Sequence, residues 1–294
     1  MEKPDVEILD CDPCHLGEGP TYDVFSQTAW WFDIVERKLF EMRWSDRRVR
    51  THELPFMASQ LCFVDDGTQL LATDRGLYLR DVGSGALTHH LDLEADNTRT
   101  RSNDGRVHPS GALWIGTMGR HAEEELGSIY WYRGGELRRL YAQITIPNAI
   151  CFSPDGGVGY FADTALGTVH RVPLDPETGL PTGQPTVFIE ADASAGGPDG
   201  AVVDAQGRFW NARWGAERID VHSPDGNRLR SIVIAAKQPS CPAFVGPNLD
   251  HLLVTTAFEG MDEAGRLGDP NAGKTFLLDI DAKGIAEPRV KTVR

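Results

Sequence analysis

The sequence predicts an all-β fold, a six-bladed β-propeller whose blades are four-stranded antiparallel sheets. Three observations lead to this prediction. A turn followed by a short apolar strand recurs six times along the 294 residues, a glycine-led strand follows most copies, and no long stretch has the periodicity of an amphipathic helix. Four short strands per unit, repeated at intervals of roughly 40 to 50 residues, are typical of propeller blades.

The turn and the second strand of each unit are the clearest part of the repeat. Pairs such as Asp66-Gly67 and Ser110-Gly111 supply the positive φ that a tight hairpin requires, and the residues after them favour strands. The six copies occupy residues 26–33, 66–73, 110–117, 155–162, 206–212 and 248–254.

The third strand and the start of the chain complete the predicted ring. The third strand repeats at 76–79, 127–130, 167–170 and 273–276, with weaker copies at 38–40 and 217–219. Because six units fill the chain, residues 1–294 are predicted to form a single propeller domain. The apolar stretch 6–9 belongs to no unit. We expect it to add an N-terminal strand to the last blade, which closes the ring and removes two sheet edges.

Composition limits the classes of partner and location. The formal net charge of −14 argues against nucleic acid and anionic membranes as partners, because both are polyanionic. Residues 1–5 contain no apolar core of a signal peptide, and the five cysteines are an odd, scattered set that fits reduced thiols. We therefore expect a cytoplasmic protein that binds a small molecule. The oligomeric state stays open, and a monomer is compatible with the sequence.

The innermost strand of each blade borders the central channel, so equivalent positions in the six units form a ring. Counting back roughly eight residues from each turn gives mostly short polar side chains. These positions are Glu18, Ser59 or Gln60, Asn103, Asn148, Asp199 and Cys241. Converging carboxylates and amides suit a divalent cation held by oxygen ligands. The spacing is equally consistent with residues that cap turns or line a water-filled channel.

Four short motifs stand in order along the chain. They are Leu16-Gly17-Glu18-Gly19-Pro20, Asn103-Asp104-Gly105, Ile146-Pro147-Asn148-Ala149-Ile150 and Gly197-Pro198-Asp199-Gly200. These motifs resemble those of the gluconolactonase and regucalcin (senescence marker protein) family, most of all its bacterial sugar lactonases such as xylonolactonases. Each motif is weak by itself, but four in this order at blade spacing are specific. The resemblance covers essentially the whole chain.

The resemblance implies a metal-dependent enzyme that hydrolyses a sugar (aldono) lactone to the free sugar acid. It implies that Glu18, Asn148 and Asp199 bind one divalent ion, which could be Ca²⁺, Zn²⁺, Mn²⁺, Mg²⁺ or Fe²⁺. Arg101 and Asn103 would contact the substrate, and Asp199 would also activate the attacking water. The chemistry suits these residue types, because a divalent ion polarises a carbonyl and a carboxylate removes a proton from water. A metal-dependent phosphotriesterase or arylesterase, and a non-enzymatic calcium-binding regulator, are the alternatives.

One departure from the family pattern concerns substrate selection. Many relatives have an acidic residue shortly after the motif that ends at Met118, whereas this chain has Gly119-Arg120-His121. The change of sign suggests the hypothesis that Arg120 or His121 favours a more acidic or a differently hydroxylated lactone.

Two other motifs are interpreted as chance matches. Cys11 to His15 has the spacing of a haem attachment site, but such attachment requires export. Residues 268–275 satisfy the phosphate-binding P-loop pattern, which needs a strand before it and a helix after it. The sequence predicts a polar loop before this stretch and a blade strand after it.

Overall fold

Twenty-four strands in the computed structural model pair into six four-stranded antiparallel sheets, and the structure describes residues 5–293. The predicted all-β, six-bladed propeller is therefore confirmed. Within the described residues the helical elements are a 3-10 turn, Ala193–Ala195, and the short helix α1, Glu263–Gly268. The predictions for residues 1–4 and 294 lie outside the described residues.

Each blade runs from an inner strand at the channel to an outer strand at the rim. The first strand of the chain, β1 Val6–Ile8, belongs to blade 6. Blade 1 consists of β2 Gly17–Asp23, β3 Thr28–Asp33, β4 Lys38–Arg43 and β5 Val49–Glu53, and blade 2 of β6 Ala58–Phe63, β7 Thr68–Thr73, β8 Gly76–Asp81 and β9 Leu87–Leu91. Blade 3 consists of β10 Thr100–Val107, β11 Leu113–Gly119, β12 Gly127–Arg133 and β13 Glu136–Ile144.

Blades 4 to 6 follow the same plan. Blade 4 consists of β14 Pro147–Phe152, β15 Val158–Asp163, β16 Thr168–Pro173 and β17 Thr186–Ile189, and blade 5 of β18 Gly197–Val203, β19 Phe209–Trp214, β20 Arg218–His222 and β21 Arg228–Val233. Blade 6 consists of β22 Pro239–Val245, β23 His251–Thr256, β24 Phe276–Asp279 and, as its outermost strand, β1.

The chain start closes the ring as predicted. Strand β1 pairs with β24 as the outermost strand of blade 6, with Val6 opposite Leu278 and Ile8 opposite Phe276. The predicted third strand at 273–276 begins only at Phe276, because residues 273–275 belong to a loop in which Gly273 adopts a φ of +80°. A Cβ at Gly273 would lie 2.4 Å from the carbonyl oxygen of Cys14.

The apolar core lies between neighbouring blades. Each of the tryptophans Trp31, Trp114 and Trp210 stands on the second strand of its blade and is completely buried. Burial of such a side chain contributes roughly 2 to 3 kcal/mol to the free energy of folding. The alternation of the strands thus directs large apolar residues to the blade interfaces, which fixes the six inner strands around one channel.

The two chance motifs have ordinary structural roles. Residues 268–275 follow helix α1 and precede strand β24, the reverse of the order that a phosphate-binding loop needs. All five cysteines are free, including Cys11 and Cys14. The helices within residues 5–293 are far too short to traverse a bilayer.

Candidate active site

A cavity of about 450 Å³ opens at the end of the channel where the inner strands begin, which we call the upper end. All five residues singled out from the sequence line it. They are Glu18, Arg101, Asn103, Asn148 and Asp199. They come from four blades, and each stands at or near the start of an inner strand.

A repeated irregularity of the backbone brings these side chains to the axis. Each inner strand has a register shift against the second strand close to its beginning, as between Glu18 and Thr21 and between Asn148 and Cys151. Such bulges re-aim side chains at the ends of strands. Glycine follows both Glu18 and Asp199 because the next inner strand lies in contact there. A Cβ at Gly19 would lie 2.1 Å from the Ser59 carbonyl oxygen, and one at Gly200 would lie 2.4 Å from Cys241 Sγ.

A chain of hydrogen bonds fixes the amide side of the cavity. Arg101 Nη1 donates to Asn103 Oδ1 at 2.8 Å, and Asn103 Nδ2 donates to Asn148 Oδ1 at 3.0 Å. Asn148 Nδ2 donates to Thr164 Oγ1 at 2.8 Å, and that hydroxyl donates to the carbonyl oxygen of Pro198 at 2.7 Å. This chain orients both amides, so that Asn148 presents its carbonyl oxygen rather than its amino group towards Asn103.

The carboxylate side of the cavity brings two buried acidic side chains close together. Glu18 and Asp199 are only 6% and 4% exposed. Burial, and next the nearby Asp104 carboxylate, raise the pKa of Glu18 to about 8. Burial, and next the carboxylates of Glu18 and Asp104, raise the pKa of Asp199 well above its usual range. Burial lowers the pKa of Arg101 to about 10, so its guanidinium remains charged at neutral pH.

The donor set suits a hard divalent cation. Two buried carboxylates that repel each other are stabilised together when a cation lies between them. The oxygens of Glu18, Asp199 and Asn148 are the ligand type that Ca²⁺, Mg²⁺ and Mn²⁺ prefer. No group of three or more His, Cys, Asp or Glu side chains within residues 5–293 is placed to hold a metal ion. The fit therefore depends on the Asn148 amide acting beside two carboxylates.

Two of the six predicted ring positions do not reach the cavity. Ser59 Oγ instead donates to the carbonyl oxygen of Asn103 at 2.5 Å, and the Gln60 amide donates to the carbonyl of Leu61 at 3.1 Å. Cys241 is buried behind Gly200. Four of the six ring positions therefore line the cavity, while the side chains at the positions of blades 2 and 6 are buried among the inner strands.

Other cavity residues lie where second strands end and the next loop begins. Arg120 and His121 lie in the loop after strand β11, and Trp214 is the last residue of strand β19. Thr164 and Glu259 also line the cavity and were not singled out from the sequence. Thr164 follows the second strand of its blade at the same position as Arg120, which is the signal that could have found it. Glu259 lies in the second-to-third-strand loop of blade 6, in an extension that the other blades lack.

Comparisons with known proteins agree with the fold and the motifs. The SMP-30/Gluconolactonase/LRE-like region matches residues 16–258. A Rhizobium meliloti (strain 1021) protein, provisionally named a sugar lactone lactonase, is 53% identical over 93% of this chain and 92% of its own length. The L-arabinolactonase of Azospirillum brasilense is 32% identical over 93% of this chain and 91% of that enzyme.

A solved structure is also similar over nearly the whole chain. It is that of a calcium-binding protein, regucalcin, from Agrobacterium tumefaciens strain C58, with 51% sequence identity and a TM-score of 0.96. The match covers 98% of this chain and 97% of that one. The protein therefore belongs to the SMP-30/gluconolactonase/LRE-like family, which confirms the family resemblance seen in the motifs.

Proposed function

We propose that the protein hydrolyses a sugar lactone to the free sugar acid at the upper end of the channel, with one divalent ion. The observation that carries the proposal is the convergence of Glu18, Asp199 and the Asn148 amide with Arg101 in one cavity. Its volume lies within the range that small-molecule sites occupy. The lactonase names of the relatives support the same class of substrate.

The residues divide into those that hold the ion and those that orient the substrate. Glu18, Asn148 and Asp199 would hold the divalent ion. A bound divalent ion would polarise the lactone carbonyl and stabilise the negative charge that develops on its oxygen. Asp199 would accept a proton from the attacking water, because a carboxylate next to a divalent ion stays ionised and can act as the general base.

Arg101 and Asn103 would bind the substrate next to the ion ligands, because Asn103 donates to Asn148. Arg101 offers several donors in one plane, and its position is fixed by its bond to Asn103. The apolar side chains of Met118, Ile146 and Trp214 line the same cavity and pack against the faces of a sugar ring.

A hydrolysis screen tests the proposal. Purified protein is stripped of metal with a chelator, and proton release from aldonolactones is followed with a pH indicator before and after each divalent ion is restored. We expect activity to disappear on chelation and to return with at least one ion. Activity that is indifferent to verified metal removal would contradict the proposed mechanism.

The same screen decides between the proposal and its alternatives. A phosphotriesterase or arylesterase would turn over paraoxon or phenyl acetate better than any sugar lactone. A calcium-binding regulator would bind Ca²⁺ without hydrolysing any of these esters. The similarity to a calcium-binding protein of known structure is the observation that favours this alternative.

A further inference from the structure

Two loops at the mouth of the cavity are longer than their counterparts. They are residues 120–126 in blade 3 and 257–275 in blade 6, and both join the second to the third strand of a blade. The inner strands contact one another in the order of the six blades, so blades 3 and 6 lie on opposite sides of the ring. The two loops therefore face each other across the cavity, and each contributes a charged residue to its lining, Arg120 and Glu259.

Neighbouring groups hold Glu259 in a defined position. His15 Nε2 lies 2.5 Å from Glu259 Oε2, and the His15 ring stacks on Phe258 with their centroids 4.9 Å apart. The backbone N–H of His15 donates to Asp33 Oδ2 at 2.7 Å, which ties the backbone of this residue to blade 1. Glu259 is thus a fixed acceptor on one wall of the mouth.

Arg120 is held equally firmly on the other wall. Its Nη2 donates to Asp74 Oδ2 at 2.6 Å, and its Nε donates to the carbonyl oxygen of Thr98 at 2.8 Å. The Asp74 carboxylate is 7% exposed and neutralises much of the arginine charge. A guanidinium has five N–H donors, so Arg120 keeps donors for a ligand after these contacts are made.

We propose that Glu259 and Arg120 determine specificity by binding hydroxyl groups on the part of the substrate that lies nearest the mouth. This inference rests on the proposed lactonase function. A hydroxyl both donates and accepts, so it matches a carboxylate on one wall and a guanidinium on the other. A free carboxylate on the substrate would meet Glu259 as a like charge, while the charge of Arg120 is already paired. The site therefore favours neutral, polyhydroxylated lactones over anionic ones, and His15 and Asp74 act as positioning residues.

The test compares two lactones of the same ring size, glucono-1,5-lactone and δ-valerolactone, with the metal-loaded protein. For Glu259→Gln and Arg120→Gln we expect a 10- to 100-fold loss of kcat/KM on the hydroxylated lactone, carried mainly by KM. The loss on δ-valerolactone should stay below about threefold, because that ring has no hydroxyl to bind. Both side chains are partly exposed, 46% for Glu259 and 26% for Arg120, so these variants are expected to fold.

Glu36→Gln is the matched control, because Glu36 approaches the other nitrogen of His15, at 3.4 Å, and does not line the cavity. It should leave both rates unchanged. His15→Asn should lower kcat/KM on the hydroxylated lactone alone, whereas a merely structural role would lower both rates together.

Three results would overturn the assignment while leaving the proposed function intact. They are equal losses on both lactones, no loss on either, and a wild-type preference for the anionic glucaro-1,4-lactone over glucono-1,5-lactone. A wild-type protein that hydrolyses no lactone would refute the proposed function together with this assignment.

Discussion

The two ends of the central channel differ in the ionisable side chains that they bury. At the upper end a cavity of about 450 Å³ contains two buried acidic side chains, Glu18 and Asp199. At the lower end, where the inner strands finish, the space is only about 50 Å³, and the buried cation Arg106 pairs with Glu287. The inner strands are similar, so the difference arises from which residues each end of the strand carries and from what covers it.

The segment after the last blade covers the lower end. The N–H of Val290 donates to the carbonyl oxygen of Phe63 in blade 2, and that of Lys291 donates to Gly111 in blade 3. Near its start, the carbonyl oxygen of Lys283 accepts from Ala205 in blade 5. A cavity closed below and open above admits a ligand from one side only. The lower end, with a paired arginine and glutamate, therefore serves stability, whereas the upper end buries two acidic side chains that would favour a bound cation.

The largest expected effect comes from the upper end. Asp199→Asn should lower kcat for lactone hydrolysis by about 10³-fold, because it removes the proposed proton acceptor and one charge that would hold the ion. Its melting temperature without metal should change little, since the replacement has nearly the same shape and leaves no new charge buried. Activity is followed with the pH indicator and unfolding by circular dichroism. Near-normal activity would show that the two ends do not differ in function as proposed.

The matching change at the lower end should have the reverse outcome. Glu287→Gln leaves the Arg106 guanidinium, whose side chain is 8% exposed, without its counterion. Removing one partner of a buried ion pair costs about 3 to 5 kcal/mol of unfolding free energy. We expect denaturant melts to show a loss of this size, with kcat of the folded protein unchanged. If Glu287→Gln were as stable as the wild type but hydrolysed lactones more slowly, the lower end would serve activity rather than stability.

Acid should lower the stability of the folded protein because a histidine is buried at the lower end of the channel-forming blades. His222 ends strand β20 at that end, and burial lowers its pKa from 6.5 to about 4. Because the unfolded chain binds more protons between pH 6.5 and 4, stability falls as the pH drops through this window and is constant above it. The loss from this group at pH 5 relative to pH 8 is about 2 kcal/mol. His222→Asn should remove that share of the acid dependence, and parallel melts of both proteins at each pH would measure it. An unchanged pH profile would assign the acid sensitivity to other groups.

The smallest expected effect concerns an apolar wall of the upper cavity. Trp214→Phe keeps an aromatic face but shortens it, so KM for the lactone should rise about fivefold, or about 1 kcal/mol, with kcat little changed. Steady-state kinetics checks this split. A large fall in kcat with an unaltered KM would mean that Trp214 acts on the reacting groups rather than on binding.

The repeat in the sequence determined the architecture and most of the candidate site. Turn pairs such as Asp66-Gly67 and the strands after them predicted six blades, and the unassigned stretch 6–9 predicted the closing strand. The same repeat register placed Glu18, Asn148 and Asp199 at one axis, because symmetry makes equivalent positions neighbours. Local periodicity is enough for such predictions, since every blade must bury the same faces.

Only the tertiary structure decided what lies outside the repeat. Glu259 belongs to a loop that is much longer than its equivalents in the other blades, and the ion pair of Arg106 with Glu287 joins residues far apart in the chain. Ser59 obeys the register yet bonds to the neighbouring strand instead of facing the cavity. A pattern of residue types specifies which face a strand buries, but hydrogen bonds and charges across the ring depend on distances that arise only when the six blades are packed together.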